Sequence, residues 1–141
     1  MQKKSFFLEH GLSLAWAIAT VATIGSLYFS EVLKYVPCNL CWYQRILMYP
    51  LVIILGIAAV RKDFGIVKYI LPITIVGLCT STYHYLMQKT DIVVSNTKVC
   101  GIIPCDVEYI NWFGFVTIPF LALTAFVLIS IIMIGIHRAN R

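Results

Sequence analysis

Two pairs of cysteines carry the chemistry available to this sequence. In "PCNLCWYQR", residues 37–45, Cys38 and Cys41 stand in C-x-x-C spacing, and Arg45 follows four residues after Cys41. In "CGIIPC", residues 100–105, Cys100 and Cys105 enclose four residues. The first pair follows Pro37 and opens directly onto a long apolar run, which sets it at a helix N-terminus. The partial positive charge of that end favours a thiolate. Positions i and i+4 of a helix share a face, so the Arg45 guanidinium falls beside Cys41. A fixed cation next to sulfur stabilises the anion further. The result is a stable thiolate and leaving group, at the depth where a lipid-soluble molecule can touch it.

The second pair has a different character. Gly101 and Pro104 suit a tight turn, and a small strained disulfide ring is a labile one. Ile102 and Ile103 at its tip are candidates for docking a partner protein; burial in the lipid interface is the plainer alternative. Four cysteines allow three connectivities, and the spacing does not choose among them. Purely structural disulfides are one alternative. A zinc site is another, because zinc also uses C-x-x-C, but neither pair brings histidine, and no metal is expected. Cys79 falls in the middle of a third apolar run and reads as a small buried apolar residue.

The elements that must position these sulfurs are set by composition. Of 141 residues, 60% are hydrophobic and only 12% charged. A soluble domain carries about a quarter charged residues, so a bilayer is the natural solvent for this chain. Four apolar runs, at about 11–29, 42–60, 69–87 and 112–136, are each long enough to cross a hydrocarbon core of roughly 30 Å as a helix. Their apolar character is continuous rather than alternating, and lipid admits only helices or closed barrels. The expected fold is therefore all-α: one integral membrane four-helix bundle spanning 1–141. The first run exceeds the roughly 7–15 residues of a signal-peptide core and reads as a retained span.

An even number of spans puts both termini on one side. That side would hold Lys3, Lys4, Arg61, Lys62, Lys68, Arg138 and Arg141; the other would hold Lys34, Arg45, Lys89 and Lys98. The excess of Lys and Arg places the N and C termini in the cytoplasm. The loops at about 30–41 and 88–111 then face outward, where disulfides persist. The net charge of +5 reads as membrane orientation, and nucleic-acid binding is not expected. Segment "DIVVSNTKV" in the second loop suits either a strip lying on the membrane surface or an irregular loop. Pro50, Pro72 and Pro119 lie inside the runs, and Gly25, Gly56, Gly77 and Gly114 are places where helices can approach closely. Trp42, Tyr43, Tyr83, Tyr85 and Trp112 suit an aromatic belt, with ring-flanking by Trp42 and Tyr43 as the alternative. Glu9 and His10 are placed at the inner interface, with no proton-pumping role.

The motif "PCNLCWYQR", the later "CGIIPC" and four apolar runs in this order resemble the DsbB family, most closely its short-loop Bacillus branch. The resemblance covers nearly the whole chain. It implies a thiol:quinone oxidoreductase of the cell membrane. Such a protein reoxidises an extracytoplasmic thioredoxin-like thiol-disulfide oxidoreductase and passes the electrons to a membrane quinone, menaquinone or ubiquinone. Carried over residue by residue, Cys38 and Cys41 match the pair nearest the quinone, with Cys41 adjacent to it and Arg45 beside it. Cys100 matches the cysteine that forms the mixed disulfide with the partner, and Cys105 its companion, which exchanges with Cys38. His84 matches a family histidine near the quinone.

Two departures stand out. Only four residues separate Cys100 from Cys105, where longer-loop members have far more. Gln44 also stands where an acidic residue often precedes the arginine. Energetics favour a coupled quinone. A DsbA-like dithiol lies near about −120 mV and a stable structural disulfide below roughly −300 mV, so oxidising the first with the second is uphill by about 8 kcal/mol. Two other readings compete. A vitamin K epoxide reductase-like quinone reductase places its C-x-x-C after the loop cysteines, the reverse of the order here. A non-catalytic disulfide-bonded membrane scaffold would be insensitive to loss of Arg45.

Overall fold

The computed structural model describes residues 2–35, 39–89 and 118–141. They form four helices: α1 (Gln2–Glu31), α2 (Asn39–Arg61), α3 (Val67–Lys89) and α4 (Ile118–Asn140). Each is long and apolar enough to cross a membrane, and no strand occurs among the described residues. The architecture is the all-α four-helix membrane bundle expected from the four apolar runs. Cys38, Cys100, Cys105, Trp112, Gly114 and the "DIVVSNTKV" segment lie outside the described residues. So do positions 112–117 of the fourth run.

The helices close into a ring in which α1 packs on α2 and α4, and α3 packs on the same two neighbours. Lipid supplies no hydrophobic force between helices, so close packing must hold them. The buried stripe of α1 accordingly sets the small residues Gly11, Ala15 and Ala19 beside Leu8 and Leu12. The outward faces are as apolar as the core. Val21, Ile53, Val60 and Ile131 are all more than half exposed, a surface suited to acyl chains. Both α2 and α3 run on as helix through Pro50 and Pro72.

Two glycines carry the close approaches. A Cβ at Gly77 of α3 would run into the Phe126 ring of α4, and one at Gly56 of α2 would lie 2.9 Å from Trp16 Nε1 of α1. Gly25 behaves differently from the expectation of helix contact. A Cβ there would meet nothing within 4 Å. Cys79 also departs from its expected burial: it is exposed. The buried positions of α3 are Val67, Ile70, Thr74, Gly77, Ser81, His84 and Met87, a stripe of three- and four-residue steps. Cys79 sits two residues from both Gly77 and Ser81, which turns it to the opposite side of the helix.

One end of the bundle gathers the polar turn between α2 and α3. Lys62 leaves α2 with φ 54°, and the Asp63 N–H donates to the Ala58 carbonyl at 3.0 Å. The Asp63 carboxylate accepts from the Gly65 N–H at 3.0 Å and starts the short 3-10 turn Phe64–Ile66. Glu9 of α1 pairs with Lys62 at 2.8 Å, which pins the start of α1 to this turn. At the opposite end the chain leaves α1 through Lys34 at φ 57°. There the Tyr35 N–H donates to the Phe29 carbonyl at 3.0 Å and turns Tyr35 back against α1.

The Gly77–Phe126 contact generates a direct test. Gly77→Ala must displace a fully buried aromatic ring. Overpacking of this kind costs typically 1–3 kcal/mol. A lowered midpoint in thermal or denaturant unfolding of the detergent-solubilised protein is the expected result, with Gly25→Ala close to wild type.

Candidate active site

A cavity of about 520 Å³ opens between α1, α2 and α4. Ligand sites typically span about 300–1,000 Å³. Its length follows from the helices that wall it. It is lined along α1 from Ile18 to Ser30 and along α4 from Ile118 to Leu128. At 1.5 Å per residue these walls run on the order of 15–18 Å. Ala22, Gly25, Ala122 and Ala125 supply the room, since none has a side chain long enough to fill it. Six polar lining residues cluster at one end, where α1 finishes and α2 starts: Ser26, Ser30, Tyr35, Cys41, Gln44 and Arg45, with Tyr49 and Thr124 the other two.

Cys41 and Arg45 thus line the same wall, as their four-residue spacing on α2 requires. Cys41 is half-buried in the first turn of α2. Arg45 Nη2 donates to the Ser26 carbonyl at 3.0 Å and to Ser30 Oγ. Both acceptors lie in the last turns of α1, near the negative end of its dipole. The guanidinium carbon also stands 5.4 Å from the centre of the Trp42 ring, within cation–π range. The cation is therefore held by a neighbouring helix rather than left to reach for the membrane surface. Trp42 and Tyr43 themselves are half exposed and do not line the cavity.

His84 of α3 is 1% exposed and is not part of the cavity wall. It stands behind Gln44, whose Nε2 lies 3.1 Å from His84 Nδ1. Gln44 is itself 6% exposed and does line the cavity. Sequence reasoning singled out His84 and noted Gln44 only as a departure. Their contact joins positions 40 residues apart, and no local pattern signals it. Ser26 and Ser30 went unnoticed for the same reason. Tyr49 was legible in principle: it repeats the four-residue step from Cys41 through Arg45, and it lines the cavity. Its hydroxyl is enclosed and has no hydrogen-bond partner among the described residues.

A half-buried thiol and a tethered cation on the wall of a ligand-sized cavity, inside four membrane-crossing helices, define a multi-pass membrane protein with thiol chemistry. The family model for disulfide bond formation protein DsbB matches residues 9–136. The disulfide bond formation protein C of Bacillus subtilis is 57% identical over 123 residues, covering 86% of this chain and 88% of that one. The probable disulfide formation protein C 1 of Bacillus anthracis is 56% identical over 87% of this chain and 88% of its own. The probable disulfide formation protein C of Halalkalibacterium halodurans is 52% identical over 98% of both. No solved structure matches. The chain belongs to the DsbB family of disulfide bond formation proteins, and its role is the generation of disulfides at the membrane.

Tyr49 provides a check on the site's geometry. A buried hydroxyl without a partner costs about 1–3 kcal/mol of desolvation. Tyr49→Phe removes that group and keeps the ring in the wall. Its unfolding midpoint, measured in detergent without added ligand, is expected to equal or exceed that of wild type.

Proposed function

We propose that the protein is a thiol:quinone oxidoreductase that reoxidises an exported thioredoxin-like dithiol protein through two cysteine pairs. The observation that carries this reading is the shared wall of Cys41 and Arg45 in a cavity open along apolar helices. The donor set fits a quinone. Arg45 offers N–H donors for the oxygens of a quinone ring, next to the sulfur that must give up electrons. Ile18, Val21, Ala125 and Leu128 offer an apolar channel for a prenyl tail. When bound, a quinone supplies an acceptor for two electrons and two protons; menaquinone and ubiquinone both meet this description.

The protein's own residues account for the remainder. A thiolate of the reduced partner attacks Cys100 in a Cys100–Cys105 disulfide, and Cys105 leaves. The partner's second thiolate then displaces Cys100 and releases the partner as a disulfide. The Cys100–Cys105 dithiol reduces a Cys38–Cys41 disulfide by the same exchange, Cys105 attacking Cys38. Cys41 is freed as a thiolate facing Arg45, whose charge favours that state. Re-pairing of Cys41 with Cys38 returns the site to its starting point. In total, one dithiol becomes a disulfide and one quinone becomes a hydroquinone, with the two thiol protons balancing the two taken up.

The orientation follows from charge. Lys3, Lys4, Arg61, Lys62, Lys68, Arg138 and Arg141 belong to the bundle end opposite Cys41, and this excess of Lys and Arg supports a cytoplasmic side for that end and both termini. Cys41 and the loops carrying the other redox cysteines then face the extracytoplasmic side of the cell membrane.

Full-length protein in detergent, mixed with a short-chain quinone and a reduced thioredoxin-like substrate, tests the reading. Quinone absorbance should fall with turnover in wild type and stay constant in Cys41→Ser. Arg45→Met removes a charge-assisted contact worth about 1.5–3 kcal/mol, so a loss on the order of tenfold to a hundredfold is expected. Folded, oxidised protein that consumes no quinone would instead favour a structural scaffold.

A further inference from the structure

Gln44 presents an unusual arrangement for a cavity-lining amide. It is more than nine-tenths buried and lines the cavity, and its nitrogen is already committed to His84 Nδ1 at 3.1 Å. With the amide N–H donating, Nδ1 is the acceptor of this contact. An amide is planar, with nitrogen and oxygen on opposite sides of its carbon. With the nitrogen on His84, the carbonyl oxygen is the amide atom left to meet a ligand at this cavity-lining residue. A carbonyl oxygen can only accept.

Resting on the quinone reading above, we propose that Gln44 Oε1 selects the reduced ring. It accepts a hydrogen bond from a hydroquinone hydroxyl and has none to offer a quinone carbonyl. His84 is the positioning residue: it touches no ligand and acts by holding the amide with its oxygen toward the cavity. Without His84 the amide can turn over and offer its N–H to a quinone carbonyl instead. Tighter binding of the reduced form pulls electrons out of Cys41. Each tenfold preference for hydroquinone over quinone raises the potential of the bound couple by about 30 mV for two electrons. The amide thereby does something its position on the wall alone does not reveal. It biases the direction of transfer, and it does so through a residue on the far side of α2.

Equilibrium binding separates this from a packing role. The dissociation constants of a short-chain quinone and of its hydroquinone, the latter under anaerobic conditions, would be measured on full-length oxidised protein in detergent. Gln44→Ala and the longer Gln44→Met should each weaken hydroquinone about tenfold and quinone less than twofold. His84→Ala should shift the ratio in the same direction. The Gln44→Ala/His84→Ala double variant should be no worse than Gln44→Ala alone, since the two act as one unit. His84→Asn keeps an acceptor oxygen near the position of Nδ1, so it should retain the wild-type ratio; it also serves if His84→Ala does not fold. Equal weakening of both redox forms would overturn the inference, as would additive losses in the double variant, while leaving the quinone site standing. Failure of wild type to bind either form would remove the quinone reading itself.

Discussion

A guanidinium inside an apolar bundle has to be answered by hydrogen-bond acceptors, and Arg45 finds them on another helix. Unpaired charge in a low-dielectric setting is costly enough that such groups are paired wherever they persist. The Ser26 carbonyl and Ser30 hydroxyl meet the guanidinium at the end of α1, where the helix dipole also favours a cation. That contact ties the close of α1 to the opening of α2, the turn that carries Cys41. It also keeps the charge at the cavity rim. A lysine at the same position would carry the charge on a flexible stem, without the planar fork that can serve two acceptors at once.

Gln44 extends this logic to the other side. Adjacent residues on a helix point about 100° apart. Gln44 therefore engages α3 through His84, while Arg45 engages α1. The first turns of α2 are tied on two sides by polar contacts, where small apolar residues hold the rest of the bundle. Cys41 belongs to this braced segment. Its position relative to the cavity is thus fixed by two side chains that engage different neighbouring helices, which suits the proposed transfer to a ligand in one geometry.

The fold was legible because membrane insertion leaves few options: four continuous apolar runs admit four helices. The Cys41–Arg45 relation was legible too, because it is local, set by the four-residue repeat of a single helix. The cavity was not. It exists because Ala22, Gly25, Ala122 and Ala125 fall across from one another on two helices whose relative rotation no composition reports. Gly25 shows the difficulty plainly. A glycine in a membrane helix suggests contact, yet here its missing side chain leaves space. Cys79 misled for a related reason. All faces of α3 are apolar, so sequence gives no clue to which one turns inward, and the polar residues Thr74, Ser81 and His84 mark that face only once the bundle is assembled. His84 was picked by resemblance, and its link to Gln44 needed the structure.

The size of the cavity bears on how the bundle lives in a bilayer. A space of about 520 Å³ with nothing in it would forfeit packing contacts along its apolar walls. A soluble core would collapse around such a space. Here the spacing of α1 and α2 is fixed at one end by the Arg45 contacts, and α4 is seated on α3 through Phe126 and Gly77. Acyl chains or a long apolar ligand can enter from the side and recover the lost contacts. Occupation by a ligand that binds only the folded bundle then adds stability in proportion to its concentration over its dissociation constant. The same small residues that make room for chemistry therefore make the fold depend on what the membrane puts there.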